Sequence, residues 1–162
     1  MSKILLFTDA SVNPPSKIGY AAYLAIPDMA DYSNYQQLSR QIKLKQFNNT
    51  SSTKLELQGL LWALSEIKSI TSKIIVYTDC QNIIGLQQRR ESLEKNNYHT
   101  KKGKLINNFE LYQAFFKIID LLDCSFIKVQ GHQPSKYKDQ MDKIFTLVDR
   151  ASRSALKELL ND

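Results

Sequence analysis

The amino-acid sequence predicts a single α/β domain spanning residues 1–162, with a five-stranded mixed sheet, three antiparallel strands followed by two parallel ones, flanked by helices. Three observations carry this. Three strand-like segments follow one another on short connections in the first third of the chain. A strongly amphipathic helix then leads directly into a short buried strand, the signature of a right-handed crossover between parallel strands. Two further helical stripes, one aromatic, bracket a last strand near the C-terminus.

Taken in order, Ile4-Leu5-Leu6-Phe7-Thr8 is an apolar run ending at Asp9, which reads as a buried strand. Asn13-Pro14-Pro15-Ser16 is turn chemistry, and Gly19 to Ile26 is a second strand stopped by Pro27-Asp28. A more polar third strand is expected over about Gln36 to Gln46. Thr53 followed by Glu56 fits a capping box, and Leu57, Leu60, Leu61, Leu64 and Ile67 make an apolar stripe at helical spacing. Lys73 to Thr78 is β-branched and apolar, a buried strand ending at Asp79. Gln81 to Gln88 begins a short helix, and the stretch from Arg89 to Asn108 turns basic, with Tyr98 and His99 inside it. Phe109, Tyr112, Phe115, Phe116, Ile119 and Leu122 mark the aromatic helix, Ser125 to Val129 the last strand, and Ile144, Leu147, Val148, Ala151, Ala155 and Leu159 the C-terminal helix.

The bulk properties narrow the function classes. A net charge of +6, from 22 basic and 16 acidic residues, favours polyanionic partners, nucleic acid first among them. No apolar run approaches the roughly 18–20 residues of a membrane span, and Thr8 and Asp9 interrupt the N-terminal apolar stretch, so no membrane association and a cytoplasmic location are expected. Cys80 and Cys124 are far apart and lack metal-binding spacing, so they read as reduced core thiols.

The acidic residues carry the chemistry. Phe7-Thr8-Asp9 and Tyr77-Thr78-Asp79 are near-copies at two strand ends. If the strands are parallel neighbours, both carboxylates emerge at the carboxyl edge of the sheet, where open α/β sheets place their sites. Like charges brought together there repel unless a cation compensates or one carboxyl keeps its proton. Hard oxygen ligands of this kind suit Mg²⁺. Each aspartate could instead simply end a strand as a turn residue, and Glu56 could simply complete its capping box. Asp149 lies in an otherwise apolar stretch, Phe145 to Ala151, where Arg150 or Arg153 could pair with it; His132 could be an ordinary loop histidine.

Together these residues resemble a family. Asp9-Ala10-Ser11 with Asn13-Pro14 and Gly19, Thr53-Lys54-Leu55-Glu56-Leu57, Tyr77-Thr78-Asp79-Cys80-Gln81, Gly131-His132, and Val148-Asp149-Arg150-Ala151-Ser152-Arg153 resemble, in order and from about Ile4 to Leu156, the ribonuclease H family, type 1. The resemblance implies a ribonuclease H-like fold and an endonuclease that cuts the RNA strand of RNA–DNA hybrids, leaving 5′-phosphate and 3′-hydroxyl ends. It makes Asp9, Glu56, Asp79 and Asp149 the ligands of two Mg²⁺ ions, with Mn²⁺ as the alternative metal, and Asp9 the bridging ligand. It makes His132 a loop histidine that assists proton transfer or product release. Asn13, Ser52, Thr53 and Gln81 match positions that touch the hybrid; many members carry an Asn pair where Ser52 and Thr53 stand. Arg89, Arg90, Lys101, Lys102 and Lys104 fall in the family's basic protrusion and would hold backbone phosphates.

The sequence departs from the family pattern in a shorter turn after Asp9 and a longer interval between His132 and Asp149. That interval contains Asp142, a rival fourth acid, although the Val148-Asp149-x-Ala151-x-Arg153 context favours Asp149. The expected protein is a monomer whose partner is an RNA–DNA hybrid. Two other readings stay open: a nuclease of the same fold acting on another nucleic acid, such as a junction resolvase or exonuclease, and a non-catalytic hybrid-binding relative.

Overall fold

The computed structural model describes residues 3–28, 30–67, 72–130 and 139–161. The chain runs β1 (Lys3–Asn13), β2 (Ile18–Pro27), α1 (Tyr35–Arg40), β3 (Lys43–Phe47), α2 (Ser52–Ile67), β4 (Lys73–Thr78), α3 (Gln81–Ile84), α4 (Leu86–Lys95), α5 (Phe109–Leu121), β5 (Cys124–Lys128) and α6 (Gln140–Asn161). The strands form one sheet in the order β3-β2-β1-β4-β5. β1 pairs antiparallel with β2 and parallel with β4, so it occupies the centre, and the expected mixed sheet is the one that forms.

Side chains of β1 alternate between two cores, as the period of two requires. Leu6 packs with Leu57, Leu60 and Leu64 of α2, Val76 of β4 and Phe115 of α5. Leu5 and Phe7 point the other way and pack with Leu24 of β2, Leu38 of α1, and Ile144 and Val148 of α6. Burial on both faces is why β1 and β4 read as continuous apolar runs rather than alternating ones. The Phe7 and Tyr77 rings stack across the β1–β4 pair, centroids 4.7 Å apart and 11° from coplanar. Among the described residues no helix is long and apolar enough to cross a membrane.

Three expectations are corrected. β1 does not stop at Asp9: β2 stays paired with it through Ser11↔Tyr20 and Asn13↔Ile18, so hydrogen bonding carries the strand past the acid. The stretch Gln36 to Gln46 is not one strand. Asn34 caps a short helix by accepting the Gln37 N–H at 3.0 Å, α1 buries Leu38, and only Lys43–Phe47 joins the sheet. Thr53 is not a helix cap, because the first turn of α2 closes with Leu55 N–H donating to the Ser51 carbonyl at 2.8 Å. Ser51 therefore stands at the cap, and Glu56 lies more than one turn inside, with no backbone donor left for it to satisfy as a cap. In the basic stretch α4 continues to Lys95, and only then does a hairpin begin, bridged at His99↔Leu105 and turned at Gly103 (φ +82°).

The start of α2 is pressed against the sheet at Gly19. A Cβ there would lie 2.4 Å from Leu55 Cδ2 and 2.7 Å from the Ser11 carbonyl oxygen. The absence of a side chain at Gly19 lets Leu55 seat fully, and so sets Glu56, the next residue, at the edge of the sheet.

Candidate active site

The parallel register pairs Phe7 with Tyr77, so Asp9 and Asp79 each lie two residues beyond one matched pair. β4 ends at Thr78 while β1 runs on, which leaves Asp9 facing the gap that opens beyond its neighbour. The turn after β4 is held by the Thr78 hydroxyl oxygen, which accepts the Cys80 N–H at 3.1 Å, and by the Val129 N–H donating to the Thr78 carbonyl at 2.9 Å. Glu56 enters from the first turns of α2. One oxygen from each of Asp9, Glu56 and Asp79 lies within 4.8 Å of the other two.

The fourth acid comes from α6. Ile144, Val148, Ser152 and Leu156 are buried at a spacing of four and form the face of α6 that rests on the sheet. That face is tied to β1 by a hydroxyl relay: Ser11 meets Ser152 at 3.0 Å, and Ser152 donates to the Asp149 carbonyl at 3.0 Å. Ser11 and Asp9 share one face of β1, so the relay aligns Asp149 with Asp9, and their carboxyls hydrogen-bond. Arg153 Nε holds Asp149 Oδ1 at 3.1 Å from one turn further along α6. Asp142 is occupied elsewhere. Its carboxylate accepts the Asp139 N–H at 3.1 Å while Asp139 accepts the Asp142 N–H at 2.8 Å, a reciprocal cap that starts α6.

Electrostatics follow from this crowding. Asp9 is 5% exposed. Burial first, then its hydrogen bond to Asp149, then the charges of Glu56, Asp79 and Asp149 raise its carboxyl far above the ordinary range. Burial and the charges of Asp79 and Asp149 push Glu56 up to about 8. Asp9 and Glu56 thus keep their protons at neutral pH when no cation shares the site. The donor set is all carboxylate, the hard oxygen chemistry that fits Mg²⁺ or Mn²⁺.

The remaining sequence-predicted residues fall around this centre. Asn13 Oδ1 accepts the Ser16 N–H at 3.0 Å and the Ser16 hydroxyl at 2.8 Å, holding the β1–β2 turn. Ser52 and Thr53 are exposed on the first turn of α2. Gln81 is exposed at the start of α3, two residues from Asp79, and accepts Lys128 Nζ at 2.7 Å. Arg89 donates to the Asn82 carbonyl at 3.1 Å and lies over the Tyr112 ring at 5.9 Å. Arg90 grips both oxygens of Asp120 at 2.7 and 2.8 Å and also Glu94, clamping α4 onto α5. Lys101, Lys102 and Lys104 are exposed on the hairpin. His132 lies outside the described residues.

Sequence reasoning missed three features. Ser11 and Ser152 give no signal because a relay between residues 141 apart has no local pattern. The Asp139–Asp142 cap does carry one, an acid three residues beyond a capping acid. Lys128 is marked only as the exposed end of the last strand.

Comparison with known proteins places these features in context. The sequence model of the family RNase H matches residues 1–149. The Ribonuclease H of Clostridium botulinum is 27% identical over 146 residues, covering 89% of this chain and 93% of that protein. The crystal structure of LC9-RNase H1, described as a type 1 RNase H with the type 2 active-site motif, superposes with a TM-score of 0.66 at 17% identity, over 94% of this chain and 72% of that one. The foamy viral protease-reverse transcriptase in complex with RNA/DNA hybrid superposes with a TM-score of 0.61 at 10% identity, over 94% of this chain and 20% of that one. With nearly all of its residues matched by the family model, the chain belongs to the RNase H family.

Proposed function

We propose that the protein is a metal-dependent endoribonuclease that hydrolyses the RNA strand of RNA–DNA hybrids, leaving 5′-phosphate and 3′-hydroxyl ends. The observation that carries this reading is the convergence of Asp9, Glu56 and Asp79 within 4.8 Å, with Asp149 hydrogen-bonded to Asp9. Four acids from four parts of the chain crowd one spot against their mutual repulsion, which a bound cation relieves. Asp9, Glu56, Asp79 and Asp149 would hold two divalent ions, Mg²⁺ or Mn²⁺. Such ions supply charge compensation at the phosphate and a lowered pKa for the attacking water.

The chain's own residues do the rest. Loss of the Asp9 proton frees its carboxylate as an oxygen donor, and Arg153 keeps the Asp149 carboxylate oriented beside it. His132 assists proton transfer or product release. Asn13, Ser52, Thr53 and Gln81 face the minor groove, where the 2′-hydroxyl tells RNA from DNA. Lys101, Lys102 and Lys104, with Arg89 behind them on α4, hold phosphates without reading sequence, whereas the Arg90 guanidinium is engaged with Asp120 and Glu94. The four acids come from one chain and the thiols of Cys80 and Cys124 are free, which supports a single-domain monomer working in the reducing cytoplasm.

The test is cleavage of labelled RNA–DNA hybrid, duplex RNA, duplex DNA and a four-way junction with Mg²⁺, Mn²⁺ or EDTA. Hybrid-only cleavage, lost with EDTA and in Asp9→Asn, is expected. Junction-specific cutting, or binding without cleavage, would overturn the reading.

A further inference from the structure

We propose that Lys128 is a positioning residue for substrate recognition: it locks the Gln81 amide so that the NH₂ group faces the hybrid as a fixed donor. The inference rests on the ribonuclease H reading of the site and extends it to a residue outside the acidic cluster.

Lys128 is the last residue of β5 and stands opposite Thr78 in the parallel register. Gln81 opens α3 three residues after Thr78, so both side chains project from the edge of the sheet that carries Asp79. Lys128 Nζ lies 2.7 Å from Gln81 Oε1. An ammonium group has three donors and no acceptor, so only the amide oxygen can face it. The pair therefore settles which end of the Gln81 amide meets Lys128, and the NH₂ end is left pointing away from it, on the Gly85 side.

That orientation suits a particular partner. In the minor groove the base edges offer acceptors, purine N3 and pyrimidine O2, and each ribonucleotide adds a 2′-hydroxyl oxygen. A donor locked outward meets an acceptor at any sequence, whereas a flipped amide would set oxygen against oxygen. Gln81 is exposed and long, so an unrestrained side chain would have to be ordered at each binding event. Anchoring it on a strand end removes that cost before the hybrid arrives.

The experiment compares wild type, Lys128→Met, Lys128→Arg, Gln81→Ala and the double variant Lys128→Met/Gln81→Ala. Hybrid affinity is read by fluorescence anisotropy in EDTA, and steady-state cleavage is read in Mg²⁺. Lys128→Met is expected to raise Kd and KM about three- to tenfold, the scale of one hydrogen bond, with kcat changed less than twofold. Lys128→Arg, which still donates, is expected to restore both. The double variant is expected to be no weaker than Gln81→Ala. Multiplicative losses in the double variant, or an unchanged KM in Lys128→Met, overturn the inference, because Lys128 would then act as an independent phosphate contact or not at all. Wild-type protein that binds hybrid no better than duplex DNA overturns the ribonuclease H reading itself, and the inference falls with it.

Discussion

Replacing Glu56 with glutamine should make the metal-free protein more stable while abolishing its activity. Burial and the charges of Asp79 and Asp149 raise the Glu56 carboxyl from 4.5 to about 8. The unfolded chain releases this proton above pH 4.5, whereas the folded protein keeps it until about pH 8. Folding therefore binds a proton in that window, and stability falls as pH rises, by about 1.4 kcal/mol per pH unit. At pH 7 the penalty is about 3 kcal/mol, and a neutral glutamine of the same shape escapes it. For a chain of this length about 3 kcal/mol corresponds to a rise in Tm of roughly 6–12 °C. The assay is thermal and denaturant unfolding of both proteins in EDTA from pH 4 to pH 8. The gain should be near zero at pH 4, grow with pH, and level off near pH 8. Saturating Mg²⁺ should stabilise wild type by about 2.7 kcal/mol at a hundredfold excess over Kd and the variant by much less. A gain independent of pH, or a variant less stable than wild type at pH 8, would show that Glu56 does not carry the buried proton.

Three further outcomes are expected. Asp149→Asn should lose cleavage by orders of magnitude with little change in unfolding, whereas Asp142→Asn should lose about 1 kcal/mol of stability as a helix-cap variant and keep its kcat; greater loss of activity in Asp142→Asn would exchange their roles. Replacing Lys101, Lys102 and Lys104 together with alanine should weaken hybrid and duplex DNA binding alike and flatten the dependence of log K on log salt by up to about 0.9 for each phosphate no longer neutralised, measured by anisotropy titrations at several salt concentrations. Gly19→Ala should cost about 1–3 kcal/mol as overpacking, because the new Cβ meets the Ser11 carbonyl and Leu55, and activity should fall with it as Glu56 is displaced; unchanged denaturation midpoints would show that α2 has room to move.

Much of this architecture is legible in the chain, and the exceptions have physical causes. Lys73–Thr78 reads at its true boundaries because both faces are buried and turn residues flank it. The matched endings at Asp9 and Asp79 predict a shared edge, and the register delivers it. The end of β1 misleads because the apolar run stops at Asp9, and only pairing with β2 keeps Ala10, Ser11 and Val12 extended. Helix α1 hides in a polar stretch whose one strong signal, the Asn34 cap, is local, while the burial of Leu38 against α6 is not. Glu56 is ambiguous in sequence because Thr53 offers it a cap; the start of the helix at Ser52 removes that explanation. The choice between Asp142 and Asp149 turns on hydrogen bonds between backbone and side chain at the start of α6, which spacing alone does not reveal.

The central place of β1 has a bearing on how the protein fails. Asp9 sits mid-strand, paired with β2 and two residues beyond the last pair with β4, with α6 laid across the strand. Amides of such a strand exchange with solvent only through opening of the whole sheet, at the free energy of global unfolding. Asp9 consequently has no private route out of position. Mild heat or denaturant will loosen the hairpin around Gly103 long before it disturbs the acids, so hybrid affinity will decline while the turnover of what is bound persists. Cleavage will then vanish in the same transition that erases the fold.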